Sequence, residues 1–127
     1  MKKRLMLGSI AGLALSAVTG LVQAQDNTFK IGLVLPMSGP FASTGKQMEL
    51  AVRLYMAQNG DTVAGRKVVL IVKDDTGAPD VTKRIAQELV INDKVQVLAG
   101  FGLTPLAMAT APVATQSKTP LVVMAAA

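Results

Sequence analysis

Residues 29–59 read FKIGLVLPMSGPFASTGKQMELAVRLYMAQN, and this stretch combines the features of a strand, a loop and a helix. Residues 29–36 form a short apolar run that ends at a proline, which is typical of a buried strand. Residues 37–45 are rich in Gly, Pro and Ser, so a loop is predicted there. In residues 46–59 the apolar side chains recur at helical spacing, and a glycine follows Asn59, as is common where a helix ends.

The same alternation continues along the rest of the sequence. Further strands are predicted at 66–75, 95–100 and 120–124, and further helices at 80–93 and 105–117. Pro112 lies inside the last helix, so we expect that helix to kink or to end early there. Short apolar strands alternating with amphipathic helices indicate an α/β fold, a parallel sheet with helices on both faces. Numbered along the chain, the four strands are expected in the order 2-1-3-4.

The first 24 residues differ in composition from the rest. A basic start, MKKR, precedes an apolar stretch, and VQA at residues 22–24 fits the small-x-small pattern of a cleavage site. We therefore expect residues 1–24 to be a secretory signal peptide that is removed after Ala24; a retained membrane anchor is the alternative. Its removal leaves ten basic and eight acidic residues, a net charge of +2 in place of +5. So small a charge does not favour a nucleic-acid partner.

The composition excludes several kinds of site. The sequence contains no Cys and no His, which excludes disulfides, Cys nucleophiles, His general bases and metal sites built on those ligands. No Ser/His/Asp set and no paired-carboxylate arrangement points to catalysis. We therefore expect no enzyme activity, no metal and no cofactor. A lipid-modified cysteine after the signal peptide is also excluded, so the mature chain is expected to be soluble and periplasmic.

Two loops are candidates for binding a ligand. In open α/β sheets, ligands bind beyond the carboxyl ends of the strands where the strand order reverses, here between the first and third strands. The loops at that point are SGPFASTG (38–45) and GFGLTP (100–105). Thr104 suits the N-cap of the last helix and Pro105 its first position, and a helix N-terminus attracts an anion such as a ligand carboxylate. The glycines would let that ligand approach the backbone; the alternative is a helix cap that binds nothing.

Other uses of the polar turns are less well supported. A dinucleotide fingerprint needs G-x-G-x-x-G after the first strand, whereas Gly-Phe-Gly here follows the third, and Pro105 takes the place of the third glycine. Asp74 and Asp75 could suggest a metal or phosphorylation site. We interpret them instead as turn-forming acids at a solvated strand end.

The sequence from Phe29 to Ala127 is similar to a known family. The resemblance is carried, in order, by the segments IGLVLPMSGPFASTGKQMELAVRLYMAQNG, VAGRKVVLIVKDDTGAPD, INDKVQVLAGFGLTP and APVATQSKTPLVVMAAA. They resemble the start of a periplasmic substrate-binding protein of the branched-chain amino acid (leucine/isoleucine/valine) type of ABC importer. The resemblance implies two α/β lobes that close on a ligand about a hinge. Residues 25–127 would be the N-terminal part of the first lobe, an incomplete unit expected to bind ligand weakly or not at all by itself.

The resemblance also implies a site and partners. In the family, the loops after the first, third and fourth strands grip the ligand's carboxylate. The corresponding ligand-binding residues would be Ser38, Phe41, Thr44, Phe101, Gly102, Leu103, Thr104, Ala125, Ala126 and Ala127. The implied partners are a small carboxylate-bearing ligand and the membrane permease of an ABC importer, with the binding protein itself a monomer.

The identity of the ligand and the class of protein stay open at this point. Gly-Phe-Gly-Leu-Thr differs from the serine-rich loop of leucine binders, so the ligand could be a branched-chain amino acid, a related amino acid or an aromatic acid. The alternatives to a transport protein are a sensor or receptor ectodomain with the same fold and a nucleotide-binding α/β enzyme fragment.

Overall fold

The structure, a computed structural model, describes residues 27–125. The expected signal peptide, Ala126 and Ala127 lie outside the described residues. The elements, in chain order, are β1 (Thr28–Leu35), a 3-10 turn (Gly39–Phe41), α1 (Ala42–Asn59), β2 (Thr62–Val63), β3 (Arg66–Asp74), α2 (Pro79–Ile91), β4 (Val97–Gly100), α3 (Thr104–Ser117) and β5 (Leu121–Val123). The predicted alternation of strands and helices is confirmed.

The strands form one sheet in the order β2-β3-β1-β4-β5. β1 pairs in parallel with β3 and with β4, and β4 pairs in parallel with β5. The predicted order of the four longer strands is therefore confirmed, with β1 in the middle of the sheet. The two-residue strand β2 was not predicted. It pairs antiparallel with β3 through a tight turn in which Ala64 and Gly65 both have positive φ, as such hairpins require.

Successive side chains of β1 point to opposite faces of the sheet. Because these side chains are apolar on both faces, both faces are covered by helices. Val34 packs in a cluster with residues of α2 and α3, such as Leu89 and Leu106. Leu33 and Leu35 belong to the opposite cluster, against which Met48 and Val52 of α1 pack. The sheet is thus the middle of three layers, and the fold class is as predicted.

The helix bounds differ from the prediction in two places. α1 begins at Ala42 rather than at residue 46, because the 3-10 turn over Gly39–Phe41 leads directly into it. α3 continues through Pro112 to Ser117, so an early end at the proline is wrong. Pro112 cannot donate to the carbonyl of Met108. Both residues are exposed, so water can satisfy that carbonyl. No helix formed by residues 27–125 is long and apolar enough to cross a membrane.

Candidate functional site

The carboxyl ends of the parallel strands meet at one edge of the sheet, which we call the carboxyl edge. In the strand register, Leu35 of β1 lies opposite Asp74 of β3, and Gly100 of β4 lies between Val34 and Val123 of its two neighbours. The loops after these strands therefore leave the sheet side by side. All the predicted site residues that the structure describes lie in these loops or in the first turns of the helices that follow.

Most of these residues are accessible to a ligand. Phe41 is 48% exposed. Three further residues are also exposed, namely Ser38, Thr44 and Thr104. Half-buried positions are occupied by Gly102, Leu103 and Ala125. The accessible side chains among these predicted residues are thus neutral hydroxyls and apolar groups. Ala126 and Ala127 lie outside the described residues.

Phe101 differs from the other predicted site residues. Its side chain is fully buried and packs in the cluster formed with α2 and α3. Its amide donates to the carbonyl of Val34 at 2.8 Å, and its φ is +65°. A ring held in the core does not reach the loop surface, so Phe101 can serve the site only through its backbone and by anchoring the loop.

The glycines of the second loop pack closely against the protein's own chain. A Cβ on Gly100 would lie 2.1 Å from the carbonyl oxygen of Val34, and one on Gly102 would lie 3.0 Å from Cγ of Pro36. Gly45, in α1, meets the other side of the same proline, since its Cβ would lie 2.0 Å from the Pro36 oxygen. Pro36 is therefore fixed between α1 and the loop after β4. These glycines therefore permit close packing of the two loops.

This packing leads to a prediction about paired substitutions. Gly102→Ala is expected to lower the free energy of unfolding by about 1–3 kcal/mol, because the new methyl group overpacks against the Pro36 ring. Pro36→Ala in the same protein should recover part of that loss. Gly45→Ala should not be rescued by Pro36→Ala, because its clash is with a backbone oxygen. Urea unfolding of the single and double variants measures the couplings; equal rescue of both glycine variants would contradict the assignment.

The N-terminus of α3 lies at the carboxyl edge, but its cap differs by one residue from the prediction. Leu103 is the N-cap, with an extended backbone (φ −136°, ψ 141°), and its carbonyl accepts from the amides of Leu106 and Ala107 at 3.1 and 3.3 Å. Thr104 is the first helical residue and Pro105 the second, because the backbone of Leu103 is still extended. Pro105 has no N–H to contribute to the first turn. Donors at a helix N-terminus favour an anion.

Two neighbouring carboxylates at the end of β3 have separate roles. Asp74 Oδ1 accepts from the amides of Met37 and Thr76 at 2.9 and 3.0 Å, which joins β3 to the loop after β1. Asp75 is fully buried, and its Oδ1 accepts from the Gly77 amide at 2.8 Å. The expectation of turn-forming acids is thus confirmed, but a solvated environment is wrong for Asp75, which faces the start of α2. Among residues 27–125, no group of three or more acidic side chains could hold a metal ion.

The two carboxyl groups also differ in pKa. For Asp74, burial alone would raise the pKa, but hydrogen bonds from Ser38, Thr76 and Met37 outweigh it and lower the pKa below 3.8. For Asp75, burial raises the pKa. The hydrogen bond from the Gly77 amide offsets part of that rise, and the negative charge of Asp74 raises the pKa further. The Oδ2 atom of Asp75 is buried and has no hydrogen-bond partner.

The raised pKa of Asp75 predicts a pH dependence of stability. As pH rises above 3.8, the unfolded chain ionises this carboxyl more easily than the folded protein does, so its contribution to the free energy of unfolding falls. Asp75→Asn cannot ionise. The variant should therefore gain stability relative to the unmodified protein as pH rises from 4 towards neutrality. Urea unfolding at a series of pH values checks this, and parallel pH profiles for the two proteins would contradict it.

An apolar depression lies away from the carboxyl edge. It is lined by the apolar side chains of Phe29, Ile31 and Val63, together with Arg66. The Arg66 guanidinium lies 5.2 Å from the centre of the Phe29 ring. These residues lie in β2 and at the amino ends of β1 and β3, so this depression does not coincide with the predicted site.

The model of the periplasmic binding protein family matches residues 28–127. The chain belongs to this family. Within it, the chain is of the branched-chain amino acid ABC importer type, as the sequence resemblance predicted. The carboxyl edge of this periplasmic binding protein is therefore the candidate binding surface, and the fold places two of its loops in contact through Pro36.

Individual relatives are also similar to this periplasmic binding protein. The Leu/Ile/Val-binding protein homolog 6 of Brucella abortus (strain 2308) is 40% identical over 126 residues, which cover 98% of this chain and 31% of the relative. A solute-binding protein of an ABC transporter from Rhodopseudomonas palustris BisB5, solved in complex with 3,4-dihydroxybenzoic acid, is 61% identical with a TM-score of 0.77. One from R. palustris HaA2, in complex with p-hydroxybenzoic acid, is 42% identical with a TM-score of 0.76.

The chain spans less than a third of the length of these relatives. The two solved structures cover 79% of this chain, and the chain covers 28% and 27% of theirs.

Proposed function

We propose that the chain is the first part of an extracytoplasmic solute-binding protein that captures a hydroxybenzoate for import by an ABC transporter. The observation that carries this proposal is the 61% identity to a solute-binding protein solved with 3,4-dihydroxybenzoic acid. The 42% identity to a second protein with p-hydroxybenzoic acid bound supports the same ligand class. The role is capture and delivery, without catalysis.

The chemistry of the carboxyl edge supports an aromatic carboxylate. The first turn of α3 begins at this edge, and a helix N-terminus suits a carboxylate group without requiring a cation. Exposed Phe41 and half-buried Leu103 supply apolar surface that suits an aromatic ring. The proposed binding residues are the accessible predicted ones, with Phe101 as an anchor beneath them.

The role implies a location and partners, which are part of the proposal. Residues 1–24 act as a signal peptide, and residues 25–127 form the N-terminal part of the first lobe of a monomeric periplasmic protein. The loaded protein docks on the permease subunits of an ABC importer. Relatives that are about three times longer support the view that the ligand is enclosed only with further chain.

Calorimetric titration of the protein, in the length that its gene encodes, tests the ligand class. We expect 3,4-dihydroxybenzoate and 4-hydroxybenzoate to bind with a micromolar or lower Kd, and leucine to bind at least about tenfold more weakly, which corresponds to about 1.4 kcal/mol. Thr104→Val removes one hydroxyl donor and should weaken hydroxybenzoate binding. Tighter binding of leucine than of both benzoates would refute the proposal.

A second candidate is the same transport role with a branched-chain amino acid as ligand. The 40% identity to a Leu/Ile/Val-binding protein homolog favours it. The same titration separates the two candidates, because each predicts the opposite order of affinities.

A further inference from the structure

We propose that Asp74 is a positioning residue that holds the loop after β1 in its ligand-binding shape by accepting hydrogen bonds from that loop. The inference rests on the proposed function, since it takes this loop as one wall of the binding surface. Asp74 itself does not contact the ligand; it acts through Met37 and Ser38.

The geometry at the end of β3 places this carboxylate beside the loop. Asp74 lies opposite Leu35 in the parallel register, and the loop begins at the next residue, Pro36. Because proline has no N–H, the first amide that the loop can donate is that of Met37. This amide donates to Asp74 Oδ1 at 2.9 Å, and the same oxygen accepts from the Thr76 amide at 3.0 Å. One oxygen therefore fixes both the loop after β1 and the turn after β3.

The loop has little else to hold its amides in place. Ser38 is the N-cap of the 3-10 turn but makes no capping hydrogen bond with its side chain, and Gly39 has a φ of +71°. Within residues 27–125, the hydrogen bonds that tie residues 37–41 to another strand all go to Asp74. The Met37 side chain also packs against the cluster of Leu33, Leu35 and Ala99, so removal of Asp74 as acceptor should free the amides of the loop without unfolding it.

Asp75 provides a matched comparison, because it is the next residue, has the same side chain and faces the opposite side of the sheet. Its Oδ1 accepts from Gly77, and its backbone carbonyl accepts from the Thr82 hydroxyl at 3.1 Å, both at the start of α2. The side chain of Asp75 therefore supports α2, while its amide donates to the carbonyl of Leu35 at the end of β1 at 2.9 Å. A change at Asp75 should affect unfolding without affecting the ligand.

The experiment compares Asp74→Ala, Asp74→Asn and Asp75→Asn in the protein as its gene encodes it. Calorimetric titration gives the Kd for 3,4-dihydroxybenzoate. Hydrogen exchange without ligand gives the rate at which the Met37 amide exchanges with solvent. In Asp74→Ala we expect Kd to rise at least about tenfold and Met37 exchange to accelerate by at least about tenfold. Asp74→Asn keeps an oxygen acceptor and should stay within about threefold in both, as should Asp75→Asn.

The exchange measurement separates failure of this inference from failure of the proposed function. If the unmodified protein binds no hydroxybenzoate, the proposed function fails, and Met37 exchange alone then decides whether Asp74 orders the loop. Unchanged exchange in Asp74→Ala would overturn the inference, as would unchanged affinity in a protein that binds. Equal losses in Asp74→Asn and Asp74→Ala would overturn the role as a hydrogen-bond acceptor.

Discussion

Replacement of Gly100 by alanine is expected to abolish stable folding, with a loss of at least about 4 kcal/mol in the free energy of unfolding. Two effects add at this position. The φ of Gly100 is +113°, where side chains are strongly disfavoured, and a Cβ would lie 2.1 Å from the carbonyl oxygen of Val34 in the neighbouring strand. That oxygen already accepts from the Phe101 amide at 2.8 Å, so β1 cannot move away without breaking the connection. Circular dichroism during urea unfolding measures the effect.

Gly39→Ala is the matched control for this substitution. Its φ of +71° is also positive, but nothing lies within 4 Å of the added Cβ. The strain alone should cost about 1–2 kcal/mol. If Gly100→Ala were no more destabilising than Gly39→Ala, the close contact between β4 and β1 would be wrong.

Replacement of Phe101 by alanine is expected to lower the free energy of unfolding by about 3–5 kcal/mol. The ring is fully buried in the cluster that α2 and α3 form against the sheet, so its removal leaves a cavity. The side chain also anchors the loop that leads into α3. Urea unfolding is the primary measurement, and ligand affinity should be measured only where the variant remains folded.

Phe41→Ala is the counterpart with the same chemical change at an exposed position. The ring of Phe41 is 48% exposed, so its loss should cost at most about 1 kcal/mol of stability. We expect this variant to weaken hydroxybenzoate binding at least about fivefold, because it removes apolar surface beside the ligand. A stability loss in Phe41→Ala as large as that in Phe101→Ala would contradict the assignment of one ring to the surface and the other to the core.

The sequence was sufficient to predict the layers and the strand order. Apolar runs such as residues 29–36 and 66–75 are too continuous for half-exposed strands, and the helices between them require parallel crossovers. The position of the candidate site followed from the same reasoning, because parallel strands bring their carboxyl ends to one edge. The loops that the resemblance indicated are the ones that meet there.

The contacts between loops could not be predicted, because they depend on which atoms meet across the sheet. Asp74 and Asp75 are adjacent and chemically identical, yet one holds the loop after β1 and the other is buried against α2. The alternation of faces in a strand could have suggested this difference. The sequence also does not reveal that Val34 packs against Gly100 and Pro36 against Gly102.

The most direct test of the account is a crystal structure of the protein, in the length that its gene encodes, with 3,4-dihydroxybenzoate. We predict that the ligand's carboxylate lies at the N-terminus of α3, within hydrogen-bond distance of the Leu103 and Thr104 amides, with its ring near Phe41. A carboxylate bound elsewhere, for example beside Arg66 at the opposite edge of the sheet, would contradict the account.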